Sequence, residues 1–207
     1  MSEETPQHVD VAFPAYGESL PLDHGFPLYA ALSRIVPRLH GAEDWGVHPV
    51  LGERANHSTL ALTDQSRVIL RVPANDLGAC VVLVGADLEV NGHRLRLGSP
   101  RLDRLRPAAA IKARIVTIKG FFADEGSLRD GVLRSLARVE GLGQDPERIT
   151  VEVGRRRVMA IRGKTVVGFA VGLDGLEPQA SLRIQQLGLG GRRRMGAGVF
   201  VPVGRRG

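Results

Sequence analysis

The sequence predicts an α+β fold built from two tandem ferredoxin-like βαββαβ domains, and three observations predict it. Period-2 apolar runs and helix-period runs follow one another in the same order twice along the chain. A Pro- and Arg-rich stretch, 100–107, separates the two copies and sets the domains at 1–105 and 106–207. The length, 207 residues, accommodates one full-sized domain or two small ones, a domain taking roughly 100–200 residues.

In the first copy, residues 8–13 alternate as a strand, and 14–25 are rich in turn formers. Pro27 suits a first helical turn, and Leu28, Ala31, Leu32, Ile35 and Val36 recur at helical spacing, predicting a helix over about 27–36. Residues 47–51 and 58–62 read as short strands and 67–72 as a longer one. Pro73 and Asn75-Asp76 open a short apolar helix to about Val84. Residues 88–90 and 94–97 form a hairpin across Asn91-Gly92-His93. In the second copy, 113–118 alternate as a strand. Leu128, Val132, Leu133, Leu136 and Val139 mark a helix over 125–140, closed by Gly141 and Gly143. A strand over 149–153 follows, then a hairpin of 156–161 and 165–171 across Arg162-Gly163-Lys164, a helix over 177–187 and a last strand over 198–201.

Composition narrows the function classes. Hydrophobic residues make up 43% of the chain and charged residues 24%, which excludes a disordered tail. No run of about 18 apolar residues exists, and Met1-Ser2-Glu3-Glu4 opens no apolar leader, so a cytoplasmic protein without a membrane partner is expected. A single cysteine, Cys80, removes intramolecular disulfides and cysteine-rich zinc sites. No His and carboxylate cluster has metal-ligand spacing, so neither metal nor cofactor is expected.

Charge is divided unevenly. Residues 1–106 carry 10 Lys and Arg against 13 Asp and Glu, whereas 107–207 carry 18 against 9. Of the basic residues only Lys112, Lys119 and Lys164 are lysines. Arginine's planar fork grips phosphate bidentately and stacks on bases, so a basic second half points to a phosphate-backbone partner. The most specific segment is Gly188-Leu189-Gly190-Gly191-Arg192-Arg193-Arg194-Met195-Gly196-Ala197-Gly198-Val199-Phe200. Glycines let backbone N–H groups approach a phosphate, and three arginines supply charge. The segment lacks Gly-Lys-Ser/Thr and lies between a helix and a strand, so it is neither a Walker loop nor a dinucleotide fingerprint.

That segment, together with Asp10-Val11-Ala12-Phe13-Pro14, Leu22-Asp23-His24-Gly25, Tyr29-Ala30-Ala31-Leu32-Ser33, Gly46-Val47-His48-Pro49, Val116-Thr117-Ile118-Lys119-Gly120-Phe121, Gly154-Arg155-Arg156-Arg157 and Val166-Val167-Gly168-Phe169, resembles one enzyme family over nearly the whole chain. It is similar to the CRISPR-associated endoribonucleases that process precursor CRISPR RNA, of the RAMP superfamily, and more narrowly to their MYXAN-subtype branch. The resemblance implies two RRM-like domains, metal-independent cleavage within each repeat, and an enzyme that holds its stem-loop product. It implies the CRISPR repeat stem-loop as partner, with the other subunits of a type I CRISPR effector complex as further partners. A non-catalytic subunit that binds CRISPR RNA in such a complex is the alternative.

Metal-independent RNA cleavage uses the substrate's 2′-hydroxyl as nucleophile. One group accepts its proton, another protonates the leaving 5′-oxygen, and a donor stabilises the phosphate. Histidine titrates near neutrality and suits both transfers. The family's catalytic His lies in or just after the first helix of the first domain, which matches His40; His48 and His24 are the other candidates. Tyr29 offers a hydroxyl to position the 2′-OH or phosphate, or else packs in the core. Lys119 would touch phosphate at a strand end. Trp45 stacks on a base or closes the core. Arg129, Arg134 and Arg138 are expected as a stripe along the helix near 125–140. Arg155, Arg156 and Arg157 lead into a hairpin, where at most two share a face. With Gly190, Gly191, Arg192, Arg193 and Arg194 they form the expected RNA surface, read by shape and backbone rather than by base identity.

Overall fold

The computed structural model describes residues 7–204, and the chain divides into two compact units with the break between Arg104 and Leu105. The first unit runs β1 (His8–Gly17), β2 (Ser19–Pro21), α1 (Gly25–Ile35), α2 (Arg38–Gly41), β3 (Gly46–Val47), β4 (Glu53–Arg54), β5 (Thr59–Ala61) and β6 (Arg67–Pro73). A 3₁₀ segment (Ala74–Leu83) leads to β7 (Asp87–Val90), β8 (His93–Leu97) and β9 (Arg101–Arg104). Within the main sheet, β3, β6, β1 and β9 are successive antiparallel neighbours. That is the second-third-first-fourth strand order of a ferredoxin-like unit, with the 3₁₀ segment in place of the second helix. Val11 and Phe13 of β1 lie opposite Leu70 and Val68 of β6, and all four are buried. Helix α1 adds Leu28, Ala31 and Leu32 to the buried set. A small antiparallel sheet, β2-β5-β4, is separate.

Several elements differ from the sequence prediction. The fourth strand is β9, inside the stretch predicted as a linker. Its residues Arg101-Leu102-Asp103-Arg104 carry no apolar alternation because this is a largely exposed edge strand, held by pairing to Val9–Ala12 of β1. The hairpin β7-β8, predicted as the unit's last strand, is an addition that pairs with Ala15–Gly17 at the far end of β1. Strand β1 accordingly continues through Pro14, where it changes partner from β6 to β8. Proline donates nothing there, but its carbonyl accepts the Gly98 N–H at 2.9 Å. Strand β3 is only two residues long, since Pro49 follows closely and lacks a donor for further pairing.

The second unit consists of β10 (Ile111–Val116), α3 (Glu125–Leu136), β11 (Thr150–Ile161), β12 (Lys164–Asp174), α4 (Pro178–Leu187) and β13 (Val201–Pro202). Its sheet order, β11-β12-β10-β13, is the complete ferredoxin-like arrangement, antiparallel throughout. Ile111, Ala113, Val151, Phe169, Val171 and Leu173 of the sheet form one buried cluster with Leu128, Val132 and Leu136 of α3 and Ala180 and Ile184 of α4. At about 1.5–3 kcal/mol for each large apolar side chain buried, this cluster is the main stabilising feature of the unit. Asp124 starts α3 by accepting the Ser127 N–H at 2.7 Å. The strands predicted at 149–153 and 156–161 are one strand, β11, whose register shifts between Val153 and Arg156. Helix α3 ends at Leu136 rather than 140, and β13 begins at Val201 rather than 198 because the Gly-rich segment forms turns up to that point. Among the described residues no helix is long and apolar enough to cross a membrane.

Candidate functional site

In the first unit the site is built where α1 stops. Pro37 cannot continue the hydrogen-bond ladder of α1, and the chain restarts as the one-turn helix α2. That turn drives Leu39 into the core and leaves His40 exposed. Tyr29, on the preceding helix, is buried, and its Oη lies 3.4 Å from His40 Nδ1. The two rings are stacked, with centroids 6.4 Å apart and planes 20° from parallel. Asp76 anchors this corner, since its Oδ2 accepts from Arg38 Nη2 at 3.0 Å and from Trp45 Nε1 at 2.8 Å. Trp45 is fully buried, so it closes the core instead of offering a ring to a base.

The other two candidate imidazoles sit in different surroundings. His24 is buried; the Val50 N–H donates to its Nε2 at 2.9 Å, and its Nδ1 lies 3.0 Å from the Pro21 carbonyl oxygen. Accepting at Nε2 puts the proton on Nδ1, which then donates to Pro21, so backbone groups fix the tautomer. His48 is also buried, with Nε2 3.3 Å from Asp10 Oδ1. Asp10 in turn accepts from Arg71 Nε at 2.7 Å and Nη2 at 2.8 Å, across directly opposed positions of β1 and β6. Burial works to raise the Asp10 pKa. The hydrogen bonds from Arg71 and His48 and their charges outweigh it, and hold the carboxyl well below the usual range. Of the three candidate histidines, His40 alone is exposed.

In the second unit the Gly-rich segment packs onto the end of β10. The Gly191 N–H donates to the Thr117 carbonyl at 3.0 Å, and the Gly198 N–H to that of Ile115 at 2.8 Å. A Cβ on Gly190, whose φ is +76°, would lie 2.4 Å from Thr117 O, and one on Gly188 2.3 Å from Gly198 O. The close approach that glycine permits is therefore made to the protein's own backbone. The three arginines also diverge. Arg192 Nη1 donates to Thr117 Oγ1 at 3.3 Å, Arg193 is 7% exposed and donates to the Gln186 carbonyl at 2.6 Å, and Arg194 is half-buried. Sequence spacing does not reveal this, because a 3₁₀ turn at Arg193–Met195 rolls one side chain inward.

Other predicted basic residues are exposed: Lys119, Arg129, Arg134, Arg138, Arg155, Arg156 and Arg157. They do not form the predicted single stripe. At about 100° per residue, Arg129 lies about 140° around α3 from Arg134, and Arg138 follows the helix end. Arg134 is instead held over the Phe121 ring, its Cζ 5.2 Å from the centroid. Arg156 pairs with Phe169 and Arg157 with Gly168, which puts them on opposite faces of the β11-β12 ribbon. Arg162 and Lys164, at the ribbon's turn, are exposed as well. Neither is among the residues expected at the RNA surface, although an Arg-Gly-Lys turn between two alternating runs signals them. Among the described residues no three His, Cys, Asp or Glu side chains are grouped to hold a metal ion.

Comparison with known proteins decides the family. The model of the Cas6 CRISPR family matches residues 9–205. The chain belongs to the Cas6 family. It is 43% identical over 197 residues to the CRISPR-associated endonuclease Cas6 of Myxococcus xanthus (strain DK1622), covering 95% of this chain and 82% of that relative. Among solved structures, a RAMP protein described as binding different RNA substrates superposes with a TM-score of 0.68 at 13% identity, over 96% of this chain and all of that one. Thermus thermophilus Cse3, bound to an RNA representing a pre-cleavage complex, gives 0.52 at 13% identity, over 94% and 98%. These two structures share the fold of this Cas6 family member, an α+β arrangement of ferredoxin-like units.

Proposed function

We propose that the protein is an endoribonuclease that binds the stem-loop of the CRISPR repeat and cleaves precursor CRISPR RNA without a metal ion. The observation that carries the reading is an exposed imidazole, His40, held at 3.4 Å from the hydroxyl of Tyr29, a residue that is itself buried. A hydroxyl both donates and accepts, so Tyr29 can serve either tautomer of His40. With Nδ1–H donating to Tyr29, Nε2 takes the 2′-hydroxyl proton. The 2′-oxygen then attacks the adjacent phosphorus, and the bond to the 5′-oxygen breaks. That oxygen takes a proton from solvent water as it leaves, giving a 2′,3′-cyclic phosphate and a 5′-hydroxyl. His24 and His48 are weaker candidates, because one is held by two backbone groups and the other faces the Asp10 carboxylate. Exposed arginines of α3 and of one face of the β11-β12 ribbon would meet RNA phosphates, giving affinity rather than base identity. Their number supports slow release of the cleaved stem-loop.

The test is single-turnover cleavage of a repeat hairpin with EDTA present. Cleavage that persists in EDTA and falls by about 10²–10⁴-fold in His40→Ala is expected. Full activity in that variant would remove His40 from the mechanism. Tight, salt-sensitive binding with no cleavage by the unaltered protein would favour the non-catalytic CRISPR RNA-binding subunit.

A further inference from the structure

The loop between β10 and α3 carries an aromatic ring that the core does not use. Phe122 is 51% exposed, whereas its neighbour Phe121 is half-buried against α3, filling the space left by Gly131; a Cβ there would lie 2.7 Å from Phe121. The loop is pinned, with the Phe121 N–H donating to the Ile118 carbonyl at 3.1 Å and Ile118 and Phe121 forming an isolated antiparallel bridge. Phe121 is thus seated against α3, and Phe122 beside it is left facing outward.

The surroundings are basic. Lys119 is exposed in the same turn, and Arg134 is fixed over Phe121. Arg192 reaches Thr117 Oγ1, at the start of the loop. Of the acids nearby, Asp124 has its Oδ1 engaged in capping α3, while Glu125 and Asp130 are exposed on that helix. An apolar protein partner would have to strip water from these cations without pairing them, which is costly. A nucleotide matches both features, because its base offers a π face to the ring and its phosphate meets the cations.

We infer that Phe122 stacks on an unpaired base of the bound RNA while Lys119 and Arg134 hold the flanking phosphates. The inference rests on the RNA-binding reading above and adds a single-strand subsite to it. Every base has a π face, so the subsite takes an unpaired nucleotide beside the stem whatever its identity.

The experiment compares two RNAs made uncleavable by a 2′-deoxy substitution, the repeat stem-loop with its single-stranded flanks and the blunt stem-loop alone. Stacking on one aromatic is worth about 1–3 kcal/mol, so Phe122→Ala should weaken binding of the flanked RNA by about 5- to 150-fold and leave the blunt RNA unchanged. Phe122→Trp should restore affinity; Phe122→Leu, apolar but without a ring face, should not. A 2-aminopurine placed along the flanks should be quenched at one position by the native protein and not by Phe122→Ala. Equal weakening of both RNAs, no weakening of either, or full rescue by Leu would overturn the stacking role. Failure of the unaltered protein to bind either RNA would sink the RNA-binding reading itself, and the inference with it.

Discussion

Substituting Arg71→Met removes both donors that grip Asp10, Nε at 2.7 Å and Nη2 at 2.8 Å, at a position only 1% exposed. The Asp10 carboxylate, its side chain 17% exposed, is left with His48 at 3.3 Å. Stripping one partner from a buried ion pair costs about 3–5 kcal/mol, against a total stability of about 5–15 kcal/mol for a domain. The assay is urea unfolding followed by Trp fluorescence. Trp45 is the chain's single tryptophan and is fully buried in the first unit, so its signal reports that unit even where the two units unfold separately. With a slope of about 1–3 kcal/mol per molar urea, the midpoint should fall by about 2 M. Acid dependence should change too. The folded pKa of Asp10 is depressed, so its contribution is complete above the unfolded value near 3.9 and is lost as pH falls from there towards the folded value. In Arg71→Met that loss on acidification should flatten. Removing both charges, Asp10→Leu with Arg71→Met, should cost far less than the two single changes added together. Strict additivity, or a midpoint shift below about 0.3 M, would refute the view that the pair acts as a unit.

Other expectations concern the second unit and the cysteine. Gly190→Ala forces a side chain into left-handed backbone at φ +76° and against Thr117 O, costing at least about 1–2 kcal/mol. Thermal melting and RNA affinity should both worsen, while Gly191→Ala, with nothing within 4 Å of its added Cβ, should match the unaltered protein; equal behaviour of the two would contradict the packing described. Because Arg156 and Arg157 face opposite ways, only one of their Ala variants should reduce the salt slope of RNA binding by about 1, and equal reductions would show that both meet phosphate. Burial, and secondarily the Asp76 charge, pushes the Cys80 thiol up to about 11. A thiol reagent at pH 8 should therefore react slowly with the native protein and rapidly in urea; fast native labelling would mean that Ala74–Leu83 opens readily.

Much of the architecture is legible locally. The helical spacing of Leu28, Ala31 and Leu32, the Asn91-Gly92 turn and the apolar runs of β10 and β12 each predict an element without reference to distant residues. Strand β9 is invisible to that reading, because four largely exposed residues become a strand only through the backbone of β1, more than 80 positions away. The single bent β11 escapes it as well, since a register shift breaks the alternation that local reading relies on. Side-chain roles follow the same division. Periodicity and residue chemistry select a short list of imidazoles and guanidinium groups. They cannot tell that His24 meets Pro21 and Val50, that Asp10 reaches both His48 and Arg71, or that Arg193 turns into its own loop.

By itself the amino-acid order determined the two-unit α+β plan, the basic second half and the candidate residues, because those depend on spacing and residue type along the chain. Tertiary structure alone decided which imidazole meets solvent beside a tyrosine hydroxyl, which arginines stay outside, and which phenylalanine is left uncovered. Each of these depends on what the fold brings to within a few ångströms, and sequence separation does not measure that distance.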